Sequence, residues 1–416
     1  MAANKIDVFV YAHWKGMPDS QLIGILSVHQ GKGKKSFSFE YDKDWLKSNQ
    51  SFLLDPDIQF FSGPQFPVLK ENFGIFLDSM PDTWGCTLLK RRANFLAKTA
   101  GEQPRKFYEL DFLLGVYDES RMGALRYKLD PKGDFLDNSK NQPTPPWTSV
   151  GQLQNAVNII ERDEDNDEVQ KWLAQLIAPG SSLGGARPKA NIIDEQKQLW
   201  IAKFPSKNDT IDKAAWEFLS YQLALKSGIY MSESRISKVL GNYHTFFTKR
   251  FDRIKNERIH FASAMTLTGN NEEILRNSTA SYLDIAEVIQ LYGANVKEDL
   301  AQLWKRIVFN IFISNTDDHL RNHGFILSDK GWLLSPAYDI NPSVDKNGLS
   351  LNIDLENNDL DVELARSVGE YFRLDLQQMD KIIDEVYFAV KDWRNIASKL
   401  GISRVEQELM SAAFKG

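Results

Sequence analysis

The segment 314–325, SNTDDHLRNHGF, carries the densest group of polar side chains in the chain. Asp317 and Asn322 stand five residues apart in it. A carboxylate can accept the proton of a hydroxyl group, and an amide oxygen can bind a divalent cation, so the pair is suited to a group-transfer reaction. The alternative is turn formation, the commoner role of an isolated Asp and Asn pair, because both side chains bind the nearby backbone.

A second carboxylate, Asp339, follows in the turn-like segment SPAYDINPS. Magnesium prefers hard oxygen ligands, so Asp339 fits the role of a metal ligand beside Asn322. The alternative is a local turn before Pro342, which would be preferred if the Asp317 and Asn322 pair were absent.

Lys203 lies in the apolar run LWIAKF, which predicts a strand over residues 199–204. A lysine in a buried strand is unfavourable unless an anion pairs with its ammonium group, and a nucleotide phosphate is such an anion. The alternative, equally compatible with the sequence, is a lysine on an exposed edge strand, where its charge discourages aggregation.

The segment 180–189, GSSLGGARPK, is rich in small residues that let the backbone approach a phosphate group closely. It is no Walker A motif, because Gly185 is followed by Ala186 and Arg187, and alone it is compatible with an ordinary hairpin. A Gly-rich loop, a strand lysine, an Asp-x4-Asn pair and a second Asp follow one another in this order in kinases. All four features in this order occur by chance less often than any one of them does alone.

Periodicity along the chain predicts the elements that position these residues. Runs rich in β-branched and aromatic side chains predict an antiparallel meander over residues 7–12, 21–28 and 35–41. The stretch 72–95 changes to helical spacing after a Pro-Asp-Thr start, and helical spacing is also found over residues 214–227, 299–314 and 376–400. A further strand pair, 236–240 and 244–251, is expected to turn at Gly241-Asn242. The chain therefore begins with a small α+β module and ends in an α-rich part.

Length and composition exclude several classes of protein. The 416 residues exceed what one hydrophobic core usually serves, and a net charge of −6 provides no overall basic field for nucleic acid. The single cysteine, Cys86, excludes an intramolecular disulfide. Lys5 and Asp7 interrupt the apolar stretch that a signal peptide needs, and no apolar run approaches the roughly 20 residues of a membrane span. We therefore expect a cytoplasmic protein with no membrane partner.

Seven motifs are spread over nearly the whole chain: FGIFLDSMPDTWGCTLLKRR, GAL, SLGGARPK, IAKF, KRFDR, NTDDHLRN and the dipeptide Tyr338-Asp339. Together they resemble the HipA family of bacterial serine/threonine kinases, the toxin half of HipBA-type toxin–antitoxin pairs. The resemblance implies an α+β, HipA-like (protein-kinase-like) two-lobed fold with an extra N-terminal α/β module and an α-rich C-terminal lobe. The expected divisions are residues 1–100 for the N-terminal module, 101–260 for the kinase small lobe and 261–416 for the α-rich lobe.

The resemblance also implies roles for individual residues. Asp317 would be the catalytic aspartate, Asn322 and Asp339 would bind Mg²⁺, and Lys203 would contact the phosphates of ATP. The loop over the phosphates would consist of Gly184, Gly185, Ala186, Arg187, Pro188 and Lys189. The remaining residues expected at the nucleotide are Lys249, Arg250, Phe251, His319 and Tyr338.

Ser182 matches the loop serine that members of the family autophosphorylate, with the adjacent Ser181 as second choice. This likeness implies that the chain inactivates itself. The loop departs from the AGAQEK form that is commoner in the family, and Pro188 removes one backbone N–H group and stiffens the turn.

By resemblance, the chain is expected to be an ATP- and Mg²⁺-dependent serine/threonine protein kinase that inhibits growth and is held by a HipB-like DNA-binding antitoxin. DNA would be reached only through that antitoxin. The expected acceptor is a protein of translation, either a translation factor or an aminoacyl-tRNA synthetase. Two alternatives stay open: a small-molecule or lipid kinase on the same fold, and a catalytically silent antitoxin-binding subunit of a repressor complex.

Overall fold

The computed structural model describes residues 4–30, 35–48, 52–136, 144–162, 173, 176, 185–255 and 257–415. Two compact units make up the chain. The first comprises Met1–Ala202 and Arg250–Glu273, and the second comprises Lys203–Lys249 and Ile274–Gly416. The three divisions expected from the sequence, with boundaries at residues 100 and 260, stay a prediction.

Strands dominate the early part of the chain and helices the late part. The described strands are β1 (Asn4–Ala12), β2 (Gln21–Gln30), β3 (Lys35–Tyr41), β4 (Leu125–Lys128), β5 (Lys189–Ile193), β6 (Leu199–Lys203), β7 (Ser234–Ser237), β8 (Thr245–Lys249), β9 (Arg253–Ile254), β10 (Glu257–Arg258), β11 (Phe261–Ser263), β12 (Gly324–Ser328) and β13 (Gly331–Leu334). The described helices are α1 (Lys43–Lys47), α2 (Gly74–Leu77), α3 (Thr83–Ala100), α4 (Glu109–Leu114), α5 (Val150–Glu161), α6 (Lys213–Lys226), α7 (Ala264–Leu267), α8 (Tyr282–Tyr292), α9 (Val296–Ile313), α10 (Val362–Ser367), α11 (Leu376–Val390), α12 (Trp393–Lys399) and α13 (Arg404–Leu409).

A four-stranded antiparallel sheet in the order β3-β2-β1-β4 opens the first unit. Strands β1 to β3 form the predicted meander, in which Val8 lies opposite Leu26 and Leu26 lies opposite Phe39. These three side chains are buried together, because residues directly opposite each other on neighbouring antiparallel strands project to the same face. The expected N-terminal sheet is confirmed.

The second unit contains a long buried helix, α9, that leads into the polar segment 314–325. Its apolar stripe is confirmed: Leu300, Leu303, Ile307 and Ile311 are each 0% exposed. The helix ends at Ile313, and Ser314 takes a left-handed backbone conformation with a φ of 49°. Such a residue commonly stops a helix, and here it turns the chain into the segment that carries Asp317.

Some boundaries differ from those expected. The helix expected after the Pro-Asp-Thr start is α3, which extends to Ala100, and a separate short helix, α2, precedes Pro81, which lacks the N–H group that a continuous helix needs. Residues 376–400 form two helices, α11 and α12. The predicted strand pair is shorter, since Ser237 at the end of β7 already pairs with Thr245. Residues 238–244 form a loop instead of a tight turn, and their mostly exposed side chains would gain little burial from a longer ladder.

Candidate active site

Lys203 binds two carboxylates within the second unit. Its Nζ atom donates to Glu217 Oε1 at 2.6 Å and to Asp339 Oδ1 at 2.7 Å. Burial alone would lower the pKa of Lys203, but the charges of Asp339 and Glu217 raise that pKa above its usual value, so the ammonium group stays charged. Lys203 is only 8% exposed. The edge-strand interpretation is therefore wrong, because it requires a lysine that faces solvent.

Helix α6 supplies Glu217 to this cluster. The helix is capped by Asp212, whose carboxylate accepts the Ala215 N–H at 3.2 Å, and Glu217 follows in the next turn with 7% exposure. Glu217 was not among the residues expected at the site from the sequence. The signal was a lone glutamate in the apolar run AAWEFL, which indicates a buried charge in need of a partner in the same way as Lys203 in LWIAKF.

Asp339 occupies an uncommon backbone conformation. Its φ is 57°, in the left-handed region that residues other than glycine rarely adopt. Its Oδ1 atom accepts a hydrogen bond from Asn341 Nδ2 at 3.3 Å in addition to that from Lys203. Such conformations persist where the surroundings hold them, and they are concentrated at functional sites.

The segment 314–325 exposes Asp317 and buries Asn322. The Asp317 side chain is 79% exposed, and its Oδ1 atom lies 4.0 Å from Lys346 Nζ. Asn322 Nδ2 donates to the backbone carbonyl of Asp317 at 3.1 Å. Among the described residues, Asn322 Oδ1 is buried without a hydrogen-bond partner. Buried amide oxygens are usually satisfied by a protein group, an ordered water or a cation, and a divalent cation is the partner that the predicted role of Asn322 requires.

Hydrogen bonds join this segment to the loop that carries Asp339. The Tyr338 hydroxyl donates to the Arg321 carbonyl at 2.8 Å, and the Ser343 N–H donates to the Ser314 carbonyl at 3.1 Å. The structure therefore brings the predicted catalytic aspartate, both predicted metal ligands and the predicted phosphate-binding lysine into connected segments of one unit.

The oxygen atoms of Asn322 and Asp339 suit a magnesium ion that arrives with a nucleotide. In the described part of the chain, no group of three or more His, Cys, Asp or Glu side chains could hold a metal ion. Magnesium at nucleotide sites is usually bound through one or two carboxylates and the substrate phosphates. Its binding by Asn322 and Asp339 stays a prediction.

His319 lies in the same segment. Its carbonyl accepts the Asn322 N–H at 2.8 Å. Its Nδ1 atom is buried and has no hydrogen-bond partner within the described ranges. The role of His319 at a nucleotide stays a prediction.

The expected phosphate loop belongs to the first unit and is described only in part. Ser181, Ser182 and Gly184 lie outside the described residues. Gly185 and Ala186 are exposed, Arg187 is half-buried and Pro188 is buried. Lys189 is buried, and its Nζ atom binds Asp82 Oδ2 at 2.5 Å and the Gly185 carbonyl at 3.1 Å. The Lys189 ammonium is therefore paired with a carboxylate of the same unit.

Arg250 is part of a buried ion-pair cluster in the first unit. Its Nη2 atom lies 2.6 Å from Asp252 Oδ2, and its Nη1 atom donates to the Ser120 carbonyl at 2.5 Å. Asp252 also accepts the Gly123 N–H at 2.8 Å. The two charges of Arg250 and Asp252 are fully buried and paired. The bond from the Gly123 N–H to Asp252 joins the GAL motif to the KRFDR motif.

The neighbours of Arg250 are placed differently. Lys249 belongs to the second unit, where its Nζ atom lies 3.5 Å from Glu233 Oε2. The Phe251 ring lies 6.0 Å from that of Phe261 in the first unit. The expected contacts of Lys249, Arg250 and Phe251 with adenine stay predictions.

A comparison with known families matches residues 181–393 to the HipA-like C-terminal domain. The match covers more than half of the chain. The chain belongs to the HipA family. The serine/threonine-protein kinase toxin HipA of Shewanella oneidensis is 22% identical to it over 336 residues, which are 73% of this chain and 70% of that protein.

Solved structures support the HipA fold over the full length. HipA in the complex of Shewanella oneidensis HipA, HipB and operator DNA superposes with a TM-score of 0.66 at 17% identity, and the match covers 98% of this chain and 94% of that chain. The Helicobacter pylori proinflammatory kinase CtkA gives a TM-score of 0.35 at 14% identity over 54% of this chain and 95% of that chain, too low to indicate a shared fold. The expected HipA-like α+β fold is confirmed. None of the described helices is long and apolar enough to cross a membrane.

Proposed function

We propose that this HipA-family chain is an ATP- and Mg²⁺-dependent serine/threonine protein kinase. The observation that carries the proposal is the buried Lys203 between Glu217 and Asp339, at 2.6 and 2.7 Å. In protein kinases a strand lysine pairs with a helix glutamate and works beside a magnesium-binding aspartate. The unpartnered Oδ1 atom of Asn322 supports a second oxygen ligand for the same ion.

Each side chain has its own role in phosphoryl transfer. Asp317, with its exposed carboxylate, accepts or orients the proton of the acceptor hydroxyl. The positive charge of Lys203 stabilises the phosphates, and Glu217 fixes the position of the Lys203 ammonium group. Asn322 and Asp339 would hold Mg²⁺, which when bound neutralises negative charge on the phosphates.

We also propose that the chain is a toxin restrained by a HipB-like DNA-binding antitoxin, with DNA contacted through the antitoxin. The family membership and the named HipA–HipB–operator complex support this assignment. The proposed acceptor is a protein of translation, either a translation factor or an aminoacyl-tRNA synthetase. Self-inactivation by phosphorylation in the Gly-rich loop belongs to the same proposal.

Transfer of label from γ-phosphate-labelled ATP tests the kinase assignment. We expect label on the chain itself and on a general acceptor protein such as myelin basic protein, and none with the Asp317→Asn variant. That substitution changes an exposed side chain and should leave stability within about 0.5 kcal/mol. Label on a small molecule or lipid alone would favour the small-molecule kinase, and no label anywhere would favour the silent subunit. A folded Asp317→Asn variant with full activity would overturn the assignment of Asp317.

A further inference from the structure

The carboxylate of Asp318 receives hydrogen bonds from three side chains. Its Oδ2 atom accepts from the Tyr282 hydroxyl at 2.5 Å, from Asn310 Nδ2 at 2.8 Å and from His323 Nε2 at 2.8 Å. Asp318 is 3% exposed. Burial alone would raise the pKa of Asp318, but His323 and the Tyr282 hydroxyl lower it below its usual value, so the group is an ionised carboxylate.

The three donors come from separate elements of the second unit. Tyr282 is the first residue of α8, Asn310 lies in the last turn of α9, and His323 belongs to the segment 314–325 itself. Asn310 Oδ1 in turn accepts a hydrogen bond from Asn315 Nδ2 at 3.0 Å. The carboxylate of Asp318 therefore attaches the segment 314–325 to two helices at once.

Asp317 and Asp318 are consecutive but point in opposite directions. The Asp317 side chain is 79% exposed, whereas that of Asp318 is 4% exposed. Asn322 Nδ2 also donates a hydrogen bond to the backbone carbonyl of Asp317 at 3.1 Å, in the peptide that joins Asp317 to Asp318. Two contacts thus hold the backbone directly after Asp317, while the Asp317 carboxylate is exposed and can meet an acceptor.

We propose that Asp318 is a positioning residue for Asp317 in phosphoryl transfer, an inference that rests on the proposed kinase function. In this role Asp318, which is buried, would contact neither nucleotide nor acceptor. Its role is to hold the Asp317 carboxylate where the hydroxyl proton leaves, because displacement of a catalytic group by about 1 Å can reduce a rate by about 100-fold. The hydrogen bonds to an ionised acceptor are of the stronger, charge-assisted kind and suit this role.

The Asp318→Asn variant tests the proposal, with kcat and KM measured for label transfer from ATP to myelin basic protein. We expect kcat to fall about 10- to 100-fold and KM for ATP to stay within about twofold, because Lys203, Asn322 and Asp339 are unchanged. A purely structural role would instead lower the folded fraction and leave kcat per folded molecule at the parent value.

Asp299→Asn is the matched control. Asp299 is also a buried aspartate of the second unit, 8% exposed, and accepts the Leu334 N–H at 3.0 Å, but it has no bond to the segment 314–325 among the described contacts. We expect the parent kcat from this variant. Equal kcat values in Asp299→Asn and Asp318→Asn would overturn the proposal.

Tyr282→Phe tests the same role of Asp318 if the Asp318→Asn variant does not fold. This substitution removes one hydrogen-bond donor to Asp318 and should lower kcat about three- to tenfold. In the double variant with Asp318→Asn, the further loss of kcat caused by Tyr282→Phe should be smaller, because the two residues act as a unit. A folded Tyr282→Phe variant with the parent kcat would contradict the proposal. An inactive parent would overturn both proposals, whereas an active parent with an equally active Asp318→Asn variant would overturn only this one.

Discussion

Lys203 Nζ donates a hydrogen bond to Asp339 Oδ1 at 2.7 Å, although 136 residues separate them along the chain. Lys203 therefore forms an ion pair with a predicted metal ligand. Glu217 provides the second carboxylate that binds the Lys203 ammonium group. A cation bound at Asp339 would meet a carboxylate whose position Lys203 already fixes. Substitution of Lys203 should therefore affect both the stability of the free protein and the binding of the nucleotide.

Lys203→Ala should have two separate effects. The melting temperature of the free protein should fall, because removing one partner of the buried Lys203–Glu217 ion pair costs about 3–5 kcal/mol. The rise in melting temperature caused by Mg²⁺ and ATP should also shrink, because the native state loses a phosphate contact. Thermal unfolding with and without the nucleotide measures both effects.

Lys70→Ala is the control for this experiment. Lys70 is also a buried, ion-paired lysine, with its Nζ atom 3.0 Å from Asp57 Oδ2, but it belongs to the first unit and to no predicted site. Its loss should lower the melting temperature and leave the nucleotide-dependent rise intact. A full nucleotide-dependent rise in Lys203→Ala as well would remove Lys203 from the phosphate site.

Asp339→Asn should abolish the magnesium dependence of nucleotide binding. The amide is nearly isosteric, and Lys203 keeps Glu217 as a partner, so the fold should persist. Label transfer should fall about 100- to 1,000-fold, as for the loss of a group that stabilises transition-state charge. Calorimetric titration of ATP with and without Mg²⁺ measures the binding, and Asp392→Asn, at a surface ion pair with Lys226, is the control. Parent activity in the folded Asp339→Asn variant would contradict the metal assignment.

Incubation with ATP and Mg²⁺ should place a phosphate group on Ser182, with Ser181 as second choice. A phosphoserine adds about −1.5 to −2 charges beside the nucleotide phosphates, and repulsion should weaken ATP binding. Mass spectrometry of the Gly-rich loop measures the modification, and ATP titration of the modified protein measures its effect. The Ser182→Ala variant should stay active for longer. An enzyme that phosphorylates other acceptors but carries no loop phosphate would refute self-inactivation alone.

Gly123→Ala should destabilise the first unit by about 2–4 kcal/mol, the sum of backbone strain and steric overlap. Gly123 has a φ of +73°, and an added Cβ atom would lie 3.1 Å from the Phe261 nitrogen. Gly101→Ala is the matched control, because its φ is +71° but nothing lies within 4 Å of its added Cβ atom, so strain alone should cost about 1 kcal/mol. Urea unfolding measures both losses, and equal values would show that the close approach of Phe261 is unimportant.

The stability of the protein should fall between pH 6.5 and pH 3 in part because of His260. Burial lowers the pKa of His260 to about 3 from 6.5. In that window the unfolded chain binds a proton and the folded chain does not, so the free energy of unfolding decreases as the pH falls, by up to about 1.4 kcal/mol per pH unit.

His260→Phe should remove this contribution while keeping an aromatic ring against Trp14, which stacks on His260 at 5.4 Å. Urea unfolding at pH 7.5 and pH 5 compares the two proteins. The parent should lose more stability than the variant between the two pH values. The same loss in both would mean that His260 is not held neutral in the folded protein.

The sequence by itself determined the local elements and the identities of the reactive groups. The period-two runs of β1 to β3, the apolar stripe of α9 and the charged Lys203 in an apolar strand are properties of contiguous residues, so their physical meaning can be read without a fold. The same holds for Asp317, Asn322 and Asp339, whose residue types already limit the chemistry. Even their order along the chain indicated the family.

Only the tertiary structure decided which groups meet. The pairing of Lys203 with Glu217 and the contact of Asp252 with Gly123 depend on how distant segments pack. The opposite directions of Asp317 and Asp318 could not be read from two identical neighbouring residues, because burial of one carboxylate required Tyr282, Asn310 and His323 to converge on it. A buried charge is stable only where donors from several elements converge, and that convergence is a property of the folded chain.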